Sequence, residues 1–206
     1  IGQTDEELCK EGIEQLEAMK KDYDYPYPDV VFTSSLKRCK QTASILYPDK
    51  NSIEMRGFDE CDFGEFEGHT AAELEPYEEF SQWLSGGEDA RPLNGESNSE
   101  FATRVCDCFV KTVDGMIKTG TKSAAIITHG GVIMSVLAAF GVPELPMTEW
   151  LCPSACGYTV RITPTLWSRM KKFEVMNEVP AEPLTASQEE MLWDYYTDLP
   201  EVDDFD

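Results

Sequence analysis

The stretch Ser123-Ala-Ala-Ile-Ile-Thr-His-Gly-Gly-Val132 is a short apolar run that ends in Thr128-His129-Gly130-Gly131 and passes at once into the apolar segment Val132 to Phe140. A brief apolar run read this way is a buried strand, and the segment after it a helix. Open α/β sheets bind ligands at such carboxyl strand ends. Here the glycines let a ligand approach the backbone, and the free N–H groups and dipole at the helix start favour an anion. A second junction has the same form. Asp29-Val-Val-Phe-Thr33 reads as a short buried strand, and Leu36 to Tyr47 as a helix with Ser34 and Ser35 available as caps. Helical side chains lean towards the N-terminus, so Arg38 in the first turns can reach over the strand end.

Working outward, Ile13, Leu16 and Met19 give a helical stripe that Tyr25-Pro-Tyr-Pro28 breaks, and residues 53–58 form a further extended segment. Thr70-x-x-Glu73 and Ser97-x-x-Glu100 are capping boxes; the second opens a helix marked by Phe101, Val105, Cys108/Phe109, Thr112/Val113 and Met116. Tyr158 to Ile162 alternates as a strand, with Lys172 to Met176 its hairpin partner. Strands alternating with helices predict a three-layer α/β/α fold around a mostly parallel central sheet. The expected organisation is one α/β domain over residues 1–180, with a lid at about 65–94, and an acidic tail over 181–206.

The chain has 206 residues, with 17 Lys+Arg against 39 Asp+Glu, for a formal net charge of -22. That balance argues against nucleic acid and anionic membranes, whose recognition needs clustered positive charge. Nine acids and no Lys or Arg lie in residues 181–206, so subtracting them leaves -13 for residues 1–180. Within the tail, Met191, Leu192, Trp193, Tyr195 and Tyr196 form an apolar knot, read as docking on its own domain. The seven cysteines form an odd set without paired C-x-x-C spacing, so a reducing cytoplasm fits and no metal is expected. No run approaches the roughly 18 apolar residues of a membrane helix, and the first residues lack the pattern of a signal peptide.

Guanidinium, imidazole and two helix N-termini at one crevice describe a phosphate site. Alone, an Arg on a helix reads as a solvated ion-pair partner and a His before a helix as a cap. The ordered set of motifs shifts that balance. Thr33-Ser-Ser-Leu-Lys-Arg38-Cys-Lys-Gln-Thr42-Ala43, Phe58-Asp-Glu60-Cys-Asp-Phe-Gly64-Glu-Phe-Glu67-Gly68, Gly95-Glu96-Ser97 and Ile127-Thr-His129-Gly-Gly131 resemble the histidine phosphatase superfamily, which includes the phosphoglycerate mutases. The opening Ile1-Gly-Gln-Thr-Asp-x-x-Leu8-x-x-x-Gly12 is similar to the stretch that follows the family's nucleophile loop. The resemblance covers roughly residues 1–163, and four motifs in order make it specific.

The resemblance implies a phosphoglycerate mutase-like fold in which Arg38 and His129 clamp the phosphoryl group and Glu60 serves the leaving group. It also implies that Gly2 and Gln3 line the pocket through their backbone, with Gly130 beside His129. These types suit phosphoryl transfer: a bidentate Arg and a protonated His neutralise the equatorial oxygens, and a carboxyl protonates the leaving alkoxide, then deprotonates water. No cofactor is implied. The family's nucleophile is a histidine in Arg-His-Gly, which does not occur here; the two histidines are His69 and His129. His69 follows Glu67-Gly68 at the start of the helix capped by Thr70 and reads as a surface or capping residue. The expectation is therefore a segment upstream of Ile1 that carries the nucleophile.

Asp62-Phe-Gly64 copies a kinase tripeptide without the loops that accompany it, and Cys39 and Cys61 read as buried packing residues. The 65–94 stretch is rich in Glu73, Glu75, Glu78, Glu79, Glu88 and Asp89 with Arg91 its only base, which disfavours highly charged substrates. The expectation is a cytoplasmic phosphatase for a small phosphorylated metabolite acting through a phosphohistidine, with a homo-oligomer left open. The alternatives are a non-catalytic phospholigand-binding or interaction protein of the same fold, and a mutase-type phosphotransferase.

Overall fold

The computed structural model describes residues 1–85 and 90–182. In chain order its elements are α1 (Lys10–Asp22), β1 (Val30–Thr33), α2 (Lys37–Leu46), β2 (Ser52–Glu54), α3 (Ala71–Leu74), α4 (Glu78–Leu84), α5 (Asn98–Thr119), β3 (Ala124–Ile127), α6 (Gly130–Phe140), β4 (Gly141–Val142), β5 (Gly157–Arg161), α7 (Pro164–Met170) and β6 (Phe173–Val179). The result is the expected α/β fold with a parallel sheet. Its described strands fall into two three-stranded sheets, one in the order β2-β1-β3 and the other β4-β6-β5. In the first, β1 pairs parallel with both neighbours and Thr33 lies opposite Ile127. The two strand ends that lead into α2 and α6 are therefore adjacent, which sets the site.

Each element follows from local chemistry. α5 is opened by a capping box in which Ser97 accepts from Glu100 N–H, and it is closed by Gly120 in the left-handed region, at φ 73°. Its period buries Phe101, Val105, Cys108, Phe109 and Val113 on one face. That face packs on α6 and on the aromatic group of Phe140, Trp167 and Phe173. Fully burying side chains of this size stabilises by about 1.5–3 kcal/mol each before entropy is subtracted. Leu16 of α1, Val31 of β1 and Ala43, Leu46 and Tyr47 after and within α2 form a second cluster. The other capping box, Thr70 with Glu73, opens α3 as expected. The hairpin also forms, with β5 antiparallel to β6.

Two local readings change. The extended segment foreseen at 53–58 stops at Glu54, and Arg56–Phe58 coils into a 3-10 turn. That turn drives Phe58 to 0% exposure, and Gly57 permits it because any Cβ there would collide with Cys108. Ser34 and Ser35 also do not cap α2 through their side chains in the standard way. The N-cap is Leu36, with no side-chain cap bond, and both serines are committed to the site.

The 65–94 segment leaves and rejoins the body at one narrow neck. Glu65 N–H donates to the Leu93 carbonyl (3.0 Å) and Glu96 N–H to the Asp62 carbonyl (2.9 Å). At Gly64, with φ 49°, a Cβ would run into the Leu93 backbone, so glycine is required there. Inside the loop, Phe66 packs edge-on against Phe80, Trp83 lies tilted against both, and Trp83 also meets Phe63 edge-on. Among the described residues no helix is long and apolar enough to cross a membrane. The apolar knot of the acidic tail lies outside the described residues.

Candidate active site

At the β1 end, Thr33 is followed by two buried or half-buried serines that turn the chain into α2. Ser35 N–H and Oγ–H both donate to the Asp59 carboxylate, at 2.6 Å each, which ties this turn to the segment preceding Glu60. One helical turn on, Arg38 leans back over the strand ends. Its Nε donates to His129 Nδ1 (3.3 Å), its Nη1 to the Thr4 carbonyl (2.9 Å) and its Nη2 to the Gly2 carbonyl (2.6 Å). Because Arg can only donate, His129 Nδ1 is the acceptor and Nε2 carries the proton. Nε2–H donates to Ser34 Oγ at 2.8 Å.

This fixes the charge state of His129. It is 8% exposed, and burial, reinforced by Arg38 and Arg104, lowers its pKa to about 3. The sequence reading took this imidazole as protonated. In the structure it is neutral, because burial disfavours its charged form and the neighbouring guanidinium adds to that.

Glu60 approaches from the other side. Its Oε2 accepts from Gly131 N–H (3.1 Å) in the first turn of α6, and its Oε1 from Cys61 N–H (3.0 Å). Burial pushes the Glu60 carboxyl above its ordinary range, against the pull of those two N–H groups, Arg38 and Arg104. Gly131 is where the absence of a side chain matters, since a Cβ there would strike the Glu60 carboxylate, whereas Gly130 has open space.

Residues 2–5 lie across this cluster. Glu67 grips them, accepting from Gly2 N–H (2.9 Å), Gln3 N–H (2.7 Å) and Thr4 Oγ–H (2.7 Å). Burial pushes the Glu67 carboxyl up, but those bonds and one from Phe63 N–H outweigh it and hold its pKa below the usual value. Gln3 Nε2–H donates to the Glu60 carbonyl (3.1 Å). Gly2 must be glycine because a Cβ would meet the Cys61 carbonyl.

Arg38, Glu60, His129, Gly2 and Gln3 thus come together in one hydrogen-bonded cluster, with Gly130 next to His129 in the chain and outside that bonding. His69 does not join it; its side chain is 54% exposed, 4.0 Å from Glu73. Cys39 and Cys61 are buried, and burial pushes their thiols up to about 11 and about 12, so both are protonated packing groups. Sequence reasoning missed the roles of Ser34, Asp59, Glu67 and Arg104. Ser34 carries the local signature of a cap, Asp59 and Glu67 stand inside a motif that gives them no task, and nothing in the spacing marks Arg104. A shallow hollow lined by Asp114, Lys118, Trp167 and Lys171 near the C-terminal end of α5 holds none of these residues.

Comparison with known proteins bears on the family and the fold. The family described as histidine phosphatase superfamily (branch 1) matches residues 1–174. A broad-specificity phosphatase of Saccharomyces cerevisiae, YOR283W, is 29% identical over 114 residues, which cover 53% of this chain and 47% of that protein. The chain thus spans about half the length of that relative. A 2,3-bisphosphoglycerate-dependent phosphoglycerate mutase of Methylobacterium radiotolerans is 27% identical over 72% of this chain and 74% of its own. Among solved structures, the alpha-ribazole phosphatase of Shigella flexneri superposes with a TM-score of 0.72 at 23% identity, covering 89% of this chain and 90% of the other. At that identity the likeness shows the fold.

Proposed function

The chain belongs to the histidine phosphatase superfamily, and from that premise we propose that it contributes the phosphate clamp and acid–base group of a phosphatase that hydrolyses a small phosphomonoester through a phosphohistidine. The observation that carries this reading is the contact of Arg38 Nε with His129 Nδ1 over two adjacent parallel strand ends, with Glu60 at the start of α6. In the proposed reaction Arg38 and His129 hold the phosphoryl oxygens. A phosphoryl dianion brought against His129 raises its proton affinity, so the imidazole takes up its charge with the substrate. Gly2, Gln3 and Gly130 shape the pocket. Glu60, kept protonated by burial more readily than an exposed carboxyl, gives its proton to the leaving alkoxide and then takes one from the attacking water. In this reading the nucleophile is a histidine N-terminal to residue 1, since His69 lies outside the cluster and His129 is engaged by Arg38 and Ser34.

A phosphatase is favoured over a mutase by the acid-rich 65–94 stretch, which repels esters carrying several negative charges. The relatives include both a phosphatase and a mutase by name. The reading makes the protein a cytoplasmic enzyme for a small phosphorylated metabolite that uses neither metal nor cofactor. A second reading, a non-catalytic phospholigand binder, is supported by the commitment of Arg38 Nη1 and Nη2 to the Thr4 and Gly2 carbonyls.

One experiment separates them. The protein, prepared with the residues that precede Ile1 in its reading frame, is incubated with an aryl phosphate in chelator, and acid-labile phosphoprotein is trapped. The phosphatase reading expects turnover and a phosphohistidine, and His129→Ala lowering kcat by about 100-fold or more. Phosphate binding without turnover or phosphoprotein establishes the second reading instead.

A further inference from the structure

Arg104 sits on α5 and has no part in the clamp, yet it makes more hydrogen bonds than any residue in the cluster described above. Its Nε and Nη2 form a two-point pair with Glu96, both at 2.7 Å. The same guanidinium donates to four backbone carbonyls of one passing segment: Asp59 (3.0 Å), Glu60 (3.2 Å), Gly57 (3.3 Å) and Arg56 (3.4 Å). Glu96 completes the grip by accepting from Asp62 N–H (3.1 Å). The pair is mostly buried, at 25% and 18% side-chain exposure, so this is a sheltered contact rather than a surface ion pair. A planar fork of five donors can satisfy both carboxylate oxygens and a row of carbonyls at once, which a lysine cannot.

We propose that Arg104, locked by Glu96, is the positioning residue of the site, fixing the backbone of residues 56–62 so that the Glu60 carboxyl meets the first turn of α6. The inference rests on the proposed role of Glu60. Residues 56–62 include a 3-10 turn and no regular strand, so no ladder holds Glu60 in place. Its carboxyl has two anchors, Cys61 N–H and Gly131 N–H. The second exists only while the segment stands at its present height over α6. Asp59 and Ser35 extend the same tie to the turn before Arg38, so one guanidinium holds the acid–base side in register with the clamp side. The charged and titratable groups acting on Glu60 are Arg38 and Cys39 from α2, Arg104 from α5 and Cys61 beside it, with Asp59, Asp62 and Glu96 along the same segment and its anchor.

The test is nuclear magnetic resonance on the whole chain, with the Gly131 amide as the reporter. In the wild type this amide shifts as Glu60 titrates, and Glu60→Gln abolishes that titration, which assigns it. Arg104→Lys keeps the charge and loses the fork. In Arg104→Lys, Arg104→Gln and Glu96→Gln the Gly131 amide is expected to lose its Glu60-dependent shift. Should Arg104→Gln not fold, the other two carry the test. A Gly131 amide that titrates in Arg104→Lys and Glu96→Gln as in the wild type overturns the proposal. Failure of the phosphatase reading shows separately, as absent aryl phosphate turnover with the amide effect intact.

Discussion

The two strand-to-helix junctions solve the same problem in opposite ways. At β1→α2 the working groups are side chains of the junction itself: Ser34 reaches His129, Ser35 reaches Asp59 and Arg38 folds back over both. At β3→α6 the junction supplies one side chain, His129, and otherwise offers bare backbone, and the carboxylate that receives its Gly131 N–H comes from 71 residues earlier in the chain. The first junction therefore tolerates changes to its side chains least, and the second tolerates least anything that occupies its empty space. A site assembled this way is half encoded in a continuous motif and half in the distance between two segments.

The largest way to break that contrast is acid. His129 has a folded pKa of about 3, below the ordinary imidazole value of about 6.5, so the unfolded chain takes up the proton first. Stability from this group is complete above about pH 6.5 and is lost as pH falls towards 3, by about 1.4 kcal/mol for each unit. Denaturant unfolding between pH 7 and 4 should show a steep loss in the wild type and a shallower one in His129→Gln. Equal slopes would mean that the imidazole is not held neutral.

Next comes the tie at the first junction. Asp59→Ala leaves Ser35 N–H and Oγ–H without their carboxylate and should cost about 2 kcal/mol in urea unfolding, with Asp59→Asn recovering part of it. A loss within error of zero would show that the tie contributes nothing. At the second junction, Gly131→Ala pushes a methyl into Glu60 and should cost about 1 kcal/mol together with the Glu60 hydrogen bond. Its neighbour Gly130→Ala meets nothing and should be neutral or stabilising by up to about 1 kcal/mol, since alanine suits a helix better than glycine. Thermal unfolding of the two variants side by side tests the claim that only one of these glycines is spatially required.

The contrast also explains what could be read before any coordinates. Both junctions were legible, as was each capping box and the β5–β6 pairing, because a strand end, a cap and an alternating hairpin are written in neighbouring residues. The adjacency of β1 and β3 and the charge of His129 were not, because each depends on which residues meet across the fold. Ser34 and Ser35 were read as caps for the same reason: the local signal is identical whether a hydroxyl turns to its own helix or to His129 and Asp59. The 3-10 turn at Arg56–Phe58 arises because the core has room for Phe58 and Gly57 clears Cys108, facts that no period of two or 3.6 records.

The neck at Asp62–Glu65 and Leu93–Glu96 carries a consequence for descent rather than for chemistry. A loop whose two ends are bonded to each other can change length at little thermodynamic cost, roughly 0.6 kcal/mol for each doubling. Glu67, which must remain to hold residues 2–4, stands just inside the neck. Residues 70–92 can therefore change in length and charge in a lineage at small cost to the fold, while Arg38, Glu60, Glu67, Arg104 and His129, which lie outside that stretch, keep their contacts.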